Sequence, residues 1–534
     1  MDSPTSTQNI ANRQIARAAG TVMVAFLLSS LINLAKGMII LRVFGTGPEN
    51  EAFNAANRVA DTIFNLVAGG ALASAFIPTF TSLLANEKKE SAWKLASSII
   101  NIVIAVISSL AILAAIFAPQ VVRYLLAPSW YFNEPDKFAL TVHLLRIILP
   151  SAAIFGVSGL IMGILNTHQS FLFPALAPSM YSLGMIFGVL VLSPGLGISG
   201  LAWGVVIGAS LHLIIQLPKL FSLKGKYHFS LGLKDATVQE VGRLMLPRLA
   251  GVAVVQINFW VNTNLASRYS EGSVTGLTYG FALMMMPLMF IAQAIATASL
   301  PTFSAQVALG KKDEMRGSLA AALKAVLLLS IPAAVGLILL RIPLIQTLYQ
   351  NDTVFTSEST RLVAWALLWY AAGLPGHSVL EIVSRAFYAL HDTRTPVIVG
   401  VCAMSLNIIL SILLGRLFQV VGLLPHGGLA LANSISTVLE SIVLIILMRK
   451  RLNGIEGPKI GKALCLSIIA SMIMGLCVYA ITLLGKGFSP WLILLIGAIS
   501  GVGVYGLCAF LFRFEEAVQL LNIIRVKVNR RKPG

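Results

Sequence analysis

The sequence predicts an all-α membrane protein of fourteen transmembrane helices: two six-helix lobes related by a pseudo-two-fold axis along the membrane normal, plus two C-terminal helices. Three observations carry this reading. Hydrophobic residues make up 57% of the 534 positions and charged residues only 11%, against about a quarter charged in a soluble domain. Apolar runs of about 20 residues, the length that crosses a bilayer as a helix, occupy 20–45, 53–85, 95–118, 138–164, 172–193, 199–220, 242–267, 274–303, 317–346, 362–384, 396–418, 428–448, 461–484 and 490–512. The chain also repeats itself. Pro78-Thr79-Phe80-Thr81 with Lys88-Lys89 returns 223 positions later as Pro301-Thr302-Phe303-Ser304 with Lys311-Lys312, and Gly200-Leu201-Ala202 returns 228 positions later as Gly428-Leu429-Ala430.

Each element follows from these patterns. The first run is preceded by Arg13 and Arg17 but continues past Lys36 to Leu41 with no small-residue cleavage site, so it reads as a span and not a signal peptide. Six spans per repeat is an even number, so both repeats enter the membrane in the same direction, which places the relating axis along the normal. The expected domains are 1–226, 227–459 and 460–534, with the charged stretch from Lys219 to Arg243 as the break between lobes. The two last spans have no counterpart in the first half and form an appendage. Prolines within the spans, among them Pro78, Pro178, Pro287, Pro301 and Pro332, each free a carbonyl and bend a helix axis.

The formal charge of +18 would suggest nucleic acid in a soluble chain. Here most of the 39 Lys and Arg residues fall in alternate loops, at Lys88 to Lys94, Lys219 to Arg243, Lys311 to Arg316, Arg449 to Lys462 and the tail from Arg513. The positive-inside rule then puts both termini in the cytoplasm. The tail Arg525 to Lys532 reads as an anchor to anionic membrane lipid, not a nucleic-acid site. Cys402, Cys465, Cys477 and Cys508 lie in apolar runs without metal or redox spacing and read as packing residues. No phosphate-cradling loop, zinc motif or nucleophile elbow is present, and Gly195, Gly197 and Gly200 match a dinucleotide pattern with no strand before them. The expectation is a non-enzyme without a cofactor, driven by an ion gradient, membrane potential or product consumption.

Charges inside spans are the informative residues, because each costs about 2.5–3.5 kcal/mol at mid-bilayer. Lys36 lies about nine residues from the outer end of the first span, and Arg58 and Asp61 lie five and eight residues below the start of the second. All three therefore fall at a similar depth, about 7–14 Å below the outer surface. Two readings are open: an anion site, or an Arg58–Asp61 pair that cancels itself while Lys36 reaches outward. His377, Glu381 and Glu440 read as hydrogen-bonded groups facing other helices. Gln256, Asn258, Asn262 and Asn264 could line a cavity and coordinate a monovalent cation such as Na⁺, or join helices.

Arg42-Val43-Phe44-Gly45, Glu51-Ala52-Phe53, Gly70-Ala71 and Ala75-Phe76-Ile77-Pro78 resemble the start of MurJ/MviN lipid II flippases, members of the multidrug/oligosaccharidyl-lipid/polysaccharide exporter superfamily. The resemblance continues through Leu165-Asn166-Thr167, Pro174-Ala175, Gln216-Leu217-Pro218, Leu300-Pro301 and Arg385-Ala386-Phe387-Tyr388 with Asp392, Thr395 and Pro396, and covers nearly the whole chain. It implies fourteen spans with the last two outside the repeat, a bacterial cytoplasmic membrane location, and a cationic cavity that takes the diphosphate of a lipid-linked oligosaccharide. The family's first-span pattern of Arg, five residues, then Arg-Asp falls on Ser30, Lys36 and Gly37, and its eighth-span Asp-Arg-Leu falls on Phe281-Ala282-Leu283. Only Lys36 keeps a charge there. The acidic and basic positions of the second span are kept as Glu51 and Arg58.

The resemblance implies that Lys36 and Arg58 attract the diphosphate while Glu51 and Asp61 orient the cations or gate the outer mouth. Two alternatives stand beside lipid II transport: movement of another lipid-linked polysaccharide or cation-coupled drug export, and a non-transporting membrane scaffold. Cysteine-accessibility labelling tests the topology. A cysteine at Lys226 is expected to react only from inside and one at Gly195 only from outside, and the reverse would overturn the fourteen-span arrangement.

Overall fold

The computed structural model describes residues 28–67, 71–485 and 487–512. The chain divides into two compact units, Met1–Glu271 and Gly272–Gly534. Arg13, Arg17 and the tail Arg525 to Lys532 lie outside the described residues.

In the first unit the helices are α1 (28–44), α2 (Pro48–Val67), α3 (Ala71–Ala85), α4 (Lys89–Ile116), α5 (Pro135–Thr167), α6 (Leu172–Leu196), α7 (Ile198–Ser222) and α8 (Ala236–Ala266). Gly45, at φ 60°, ends α1, and Pro48 opens α2. That is the asymmetry expected of helix termini, glycine where a left-handed residue is needed and proline where no N–H is missed. Asn50 Nδ2 closes the turn on Gly45 O at 2.6 Å. α6 and α7 pack backbone to backbone: a Cβ on Gly184 would stand 2.2 Å from Gly208 Cα, and one on Gly188 2.6 Å from Gly204 Cα. Glycines four apart on both helices permit this approach, the usual route to tight helix contact in lipid.

The second unit holds α9 (Ser273–Leu288), α10 (Ala294–Ala308), α11 (Lys312–Tyr349), α12 (Ser357–Ala372), α13 (Leu374–Ala389), α14 (Arg394–Val420), α15 (His426–Arg451), α16 (Gly457–Leu484) and α17 (Pro490–Leu511). No β-sheet occurs among the described residues. Ten helical stretches there are long and apolar enough to cross a membrane, so the chain is a multi-pass membrane protein. Four of the fourteen runs read from the sequence stand apart from these ten, for particular reasons. The first is described only from residue 28, and 53–85 is two helices, α2 and α3. The run 242–267 lies in α8, whose polar residues dilute its apolar character. The run 362–384 breaks at Gly373 into α12 and α13, where Ser434 Oγ donates to Trp369 O at 2.6 Å.

The sequence echo is an echo of backbone geometry. α3 and α10 are each 15 residues long, and Pro78 and Pro301 occupy the same position within them. Glu87 and Gly310 then turn with φ of 58° and 69°. Lys88 N bonds back to Leu83 O at 3.0 Å, and Lys311 N to Gln306 O at 2.9 Å. The next long helix starts on the second lysine in both units. Equivalent positions thus end one helix with a left-handed turn, on Glu87 in one unit and Gly310 in the other, and a lysine pair begins the next.

The expected appendage is α16 and α17, packed on α11 through Leu328, Leu340, Met474 and Val478. Here the proline argument acquires a partner. Pro332 cannot donate to Leu328 O one turn earlier, and Tyr505 of α17 donates its hydroxyl to that oxygen at 2.6 Å. The cysteines depart in part from the packing reading. Cys508 is buried beside Leu328 and Ala470, whereas Cys402 and Cys465 are exposed on apolar helix surface, where lipid is the solvent. Tyr505→Phe is expected to leave the Leu328 carbonyl unsatisfied and lower stability by about 1 kcal/mol. Thermal unfolding in detergent would register this as a lowered midpoint, and an unchanged midpoint would show that the bond is dispensable.

Candidate functional site

α2 carries its polar residues on one face. Asn54, Asn57, Arg58 and Asp61, at helical spacings of three and four, are only partly covered, while Ala52, Ala55, Ala56, Val59 and Ala60 between them are buried. The helix begins at Pro48, five residues before the run read from the sequence. Arg58 and Asp61 therefore lie about 15 and 20 Å along it.

The structure brings three of the four sequence-derived residues together. Asp61 is in electrostatic reach of both Arg58 and Lys36, and also of Tyr181 on α6. Lys36 Nζ stands 5.6 Å from the Tyr181 ring centre, and the Arg58 guanidinium 5.2 Å from that of Phe259 on α8, cation–π distances in both cases. Asn57 Nδ2 donates to Asp61 Oδ2 at 3.1 Å. Neither Lys36 nor Arg58 forms a salt bridge among the described residues. Arg58 Nε is buried with no hydrogen-bond partner there. Two cations face one carboxylate, so one positive charge is in surplus. A buried donor left unmet costs about 1–3 kcal/mol, more when charged, and an anion accepting from the guanidinium would recover that cost.

Of the surrounding amides, Gln256 and Asn264 reach other elements, whereas Asn262 and Asn258 bond within α8. Thr62 Oγ1 lies 2.7 Å from Arg58 O and 3.3 Å from Gln256 Oε1, and it accepts from Trp260 Nε1 at 2.6 Å, tying α2 to α8 beside Arg58. Asn262 Nδ2 donates to Asn258 Oδ1 at 3.2 Å and Asn264 Nδ2 to Leu125 O at 3.1 Å. In the second unit His377 Nε2 lies 3.2 Å from Asn433 Oδ1, and Glu381 is 3.6 Å from Arg385. Glu440 differs from the hydrogen-bonded expectation: its Oε2 is buried without a partner among the described residues, and its Oε1 faces Gly400, which has no side chain to donate. Asp392 accepts from Thr395 N at 3.0 Å and pairs with Arg451 at 2.5 Å. It thereby fixes the turn that starts α14.

Glu51 stands apart from the other three. It is buried and paired with Lys137 of α5 at 2.5 Å, and Lys137 also meets Glu134 at 3.1 Å and the Trp130 ring at 4.2 Å. Lys137 was missed from sequence because 86 residues separate it from Glu51. The available signal was a lone carboxylate on a buried helix face, which requires a cation. Breaking such a pair strands a buried charge at about 3–5 kcal/mol. Lys137→Met is expected to destabilise the protein by that order, and adding Glu51→Gln should restore most of it. Equal thermal midpoints for the single and double variants would show that the pair is not the stabilising contact.

Comparison with known proteins agrees with this architecture. The sequence model of the family described as Lipid II flippase MurJ matches residues 40–498. A Burkholderia cenocepacia protein named lipid II flippase MurJ is 30% identical over 451 residues, 83% of this chain and 85% of its own length. A Vibrio cholerae protein named probable lipid II flippase MurJ is 28% identical over 81% of this chain and 82% of its own. Among solved structures, lipid II flippase MurJ in an inward closed conformation superposes with a TM-score of 0.77 at 26% identity, covering 92% of this chain and 98% of that one. An inward-facing multidrug transporter of the MATE family shares the fold alone, with a TM-score of 0.67 at 18% identity over 82% of this chain and 98% of its own. With the family model matched over most of its length, the chain belongs to the lipid II flippase MurJ family.

Proposed function

We propose that this protein moves lipid II, the lipid-linked peptidoglycan precursor, from the inner to the outer leaflet of the bacterial cytoplasmic membrane by alternating access. The observation that carries the reading to this chain's own residues is the surplus positive charge of Lys36, Arg58 and Asp61, with the Arg58 Nε donor unmet. A diphosphate supplies the acceptors that such a site lacks. Lys36 would act as a point charge and Arg58 as the directional donor. Asp61 would orient the two cations, offset their mutual repulsion and limit how tightly the anion stays, since release on the far side requires weak retention. Glu51, committed to Lys137, would act by fixing α2 against α5.

The finer architecture belongs to the same proposal. Fourteen spans, two six-helix lobes over 1–226 and 227–459 related about the membrane normal, an appended pair over 460–534 and cytoplasmic termini account for the even span number of each repeat and for the basic loops. A monovalent cation is the coupling partner consistent with the absence of an ATP-hydrolysing motif from the sequence. The family is one of flippases and not of catalysts, which agrees with transport without bond chemistry.

The test is delivery of lipid II to the outer leaflet by variants expressed at wild-type levels. Lys36→Ala and Arg58→Ala should each reduce it about tenfold or more, because a charge-assisted contact is worth about 1.5–3 kcal/mol. Lys36→Arg should preserve it. Full activity in both alanine variants would make these cations packing groups and favour another substrate.

A further inference from the structure

Between α7 and α8 the chain runs without regular structure and lies along α4. Gly225 sits under the Trp93 ring, where a Cβ would come within 2.2 Å of ring atoms. His228 N donates to Ser97 Oγ at 3.1 Å, and Asn101 Nδ2 donates to His228 O at 3.2 Å and Ser230 O at 2.9 Å. The Tyr227 hydroxyl donates to Asn101 Oδ1. Asn101 is twelve residues above the start of α4 at Lys89, about 18 Å along the axis. From Leu95 onward α4 carries no charged residue, and its polar ones are serines and Asn101. The linker is therefore fastened within the length of Lys89–Ile116, a helix long and apolar enough to cross a membrane.

At that level the linker turns its apolar side chains outward. Phe229 is 94% exposed, and Tyr227, Leu231 and Leu233 are exposed as well, as is Phe221 at the end of α7. In water this arrangement would forgo the gain from burying each large apolar side chain. At a membrane interface the same side chains are favoured. Lys224, Lys226 and Lys234 alternate with them, Lys94 projects from α4 alongside, and none of the four is in a salt bridge among the described residues. Lys94 and Lys234 line a cleft of about 530 Å³ with Ser230, Gly232 and Asp235. Asp235 is committed as the N-cap of α8. Hydrogen bonds from Thr237 and the nearby Lys94 hold its carboxyl below the usual range, so it balances only part of the cleft's positive charge.

We propose that this linker is an interfacial segment: Phe229 and its apolar neighbours insert at the acyl boundary, Lys94 and Lys234 gather anionic phospholipid headgroups at the cleft, and Lys224 and Lys226 do so along the linker. The lipid holds the junction between α7 and α8 at the membrane surface. The anion class follows from unpaired lysines beside inserted apolar groups, the combination that separates membrane binding from capture of a soluble phosphate.

Two measurements on the full chain in vesicles test this. Phe229→Cys, in a background with Cys402, Cys465, Cys477 and Cys508 replaced by serine, would carry an environment-sensitive fluorophore. It is expected to emit as in an apolar medium and to be quenched by bromine-labelled acyl chains, with a probe at Lys226 remaining in water. Separately, the wild type and a Lys94→Gln, Lys224→Gln, Lys226→Gln, Lys234→Gln variant would be extracted from vesicles containing about 30% phosphatidylglycerol and weighed intact. The wild type should retain at least about fivefold more phosphatidylglycerol. A Phe229 probe in water, or equal retention by the two proteins, would overturn the proposal. The fluorescence result stands even if the four-lysine variant folds poorly.

Discussion

Hydrocarbon supplies no hydrogen bonds, so every carbonyl released by a proline and every charge within a span must be met by the protein or by what it carries. Much of this structure follows from that constraint. Tyr505 meets the carbonyl that Pro332 frees, and Ser434 meets one at the Gly373 break. Lys137 meets Glu51, and Asn433 lies against His377. Where the constraint is satisfied, the helices are joined. Where it is not, at Arg58 Nε and Glu440 Oε2, the molecule has retained an energetic cost.

The Arg58 exception is informative because of its setting. Arg58 is on the polar face of α2, with Asp61 near enough to feel but not to pair, and Lys36 adds a second cation from α1. A self-cancelling Arg58–Asp61 pair would have made this an inert structural feature. Instead Asp61 takes its hydrogen bond from Asn57, and Arg58 rests on Phe259. The site thus keeps a net charge without the rigid fork-to-carboxylate geometry that would compete with a diphosphate. Where the resemblance implies Asp-Arg-Leu this chain has Phe281-Ala282-Leu283, and Phe281 packs against Tyr370 and His377. That position is now an aromatic contact.

Much of this was legible from sequence, for a physical reason: a bilayer imposes one length and one polarity on every span, so apolar runs mark helices directly. The Pro78 and Pro301 echo was legible because proline and the lysine pair recur at one fixed offset, in equivalent places of two equal-length helices. Interruptions were harder, since Gly373 reads equally as packing glycine or break. The partners of buried charges were hardest. Nothing local to Glu51 names Lys137, and nothing local to Leu328 names Tyr505, because pairing is decided by which helices touch. The linker's charge is legible in the sequence, but its seat on α4 depends on Trp93, Ser97 and Asn101, which nothing in the linker itself names.

The central claim is that the chain carries lipid II across the membrane. It is tested most directly by expressing the intact protein in a bacterium whose own lipid II flippase is being depleted. The account predicts continued growth, normal cell shape, and lipid II reaching the outer leaflet at a rate that follows expression of this chain. Lysis at the same time as the empty control, with the protein present in the membrane at normal abundance, would contradict it.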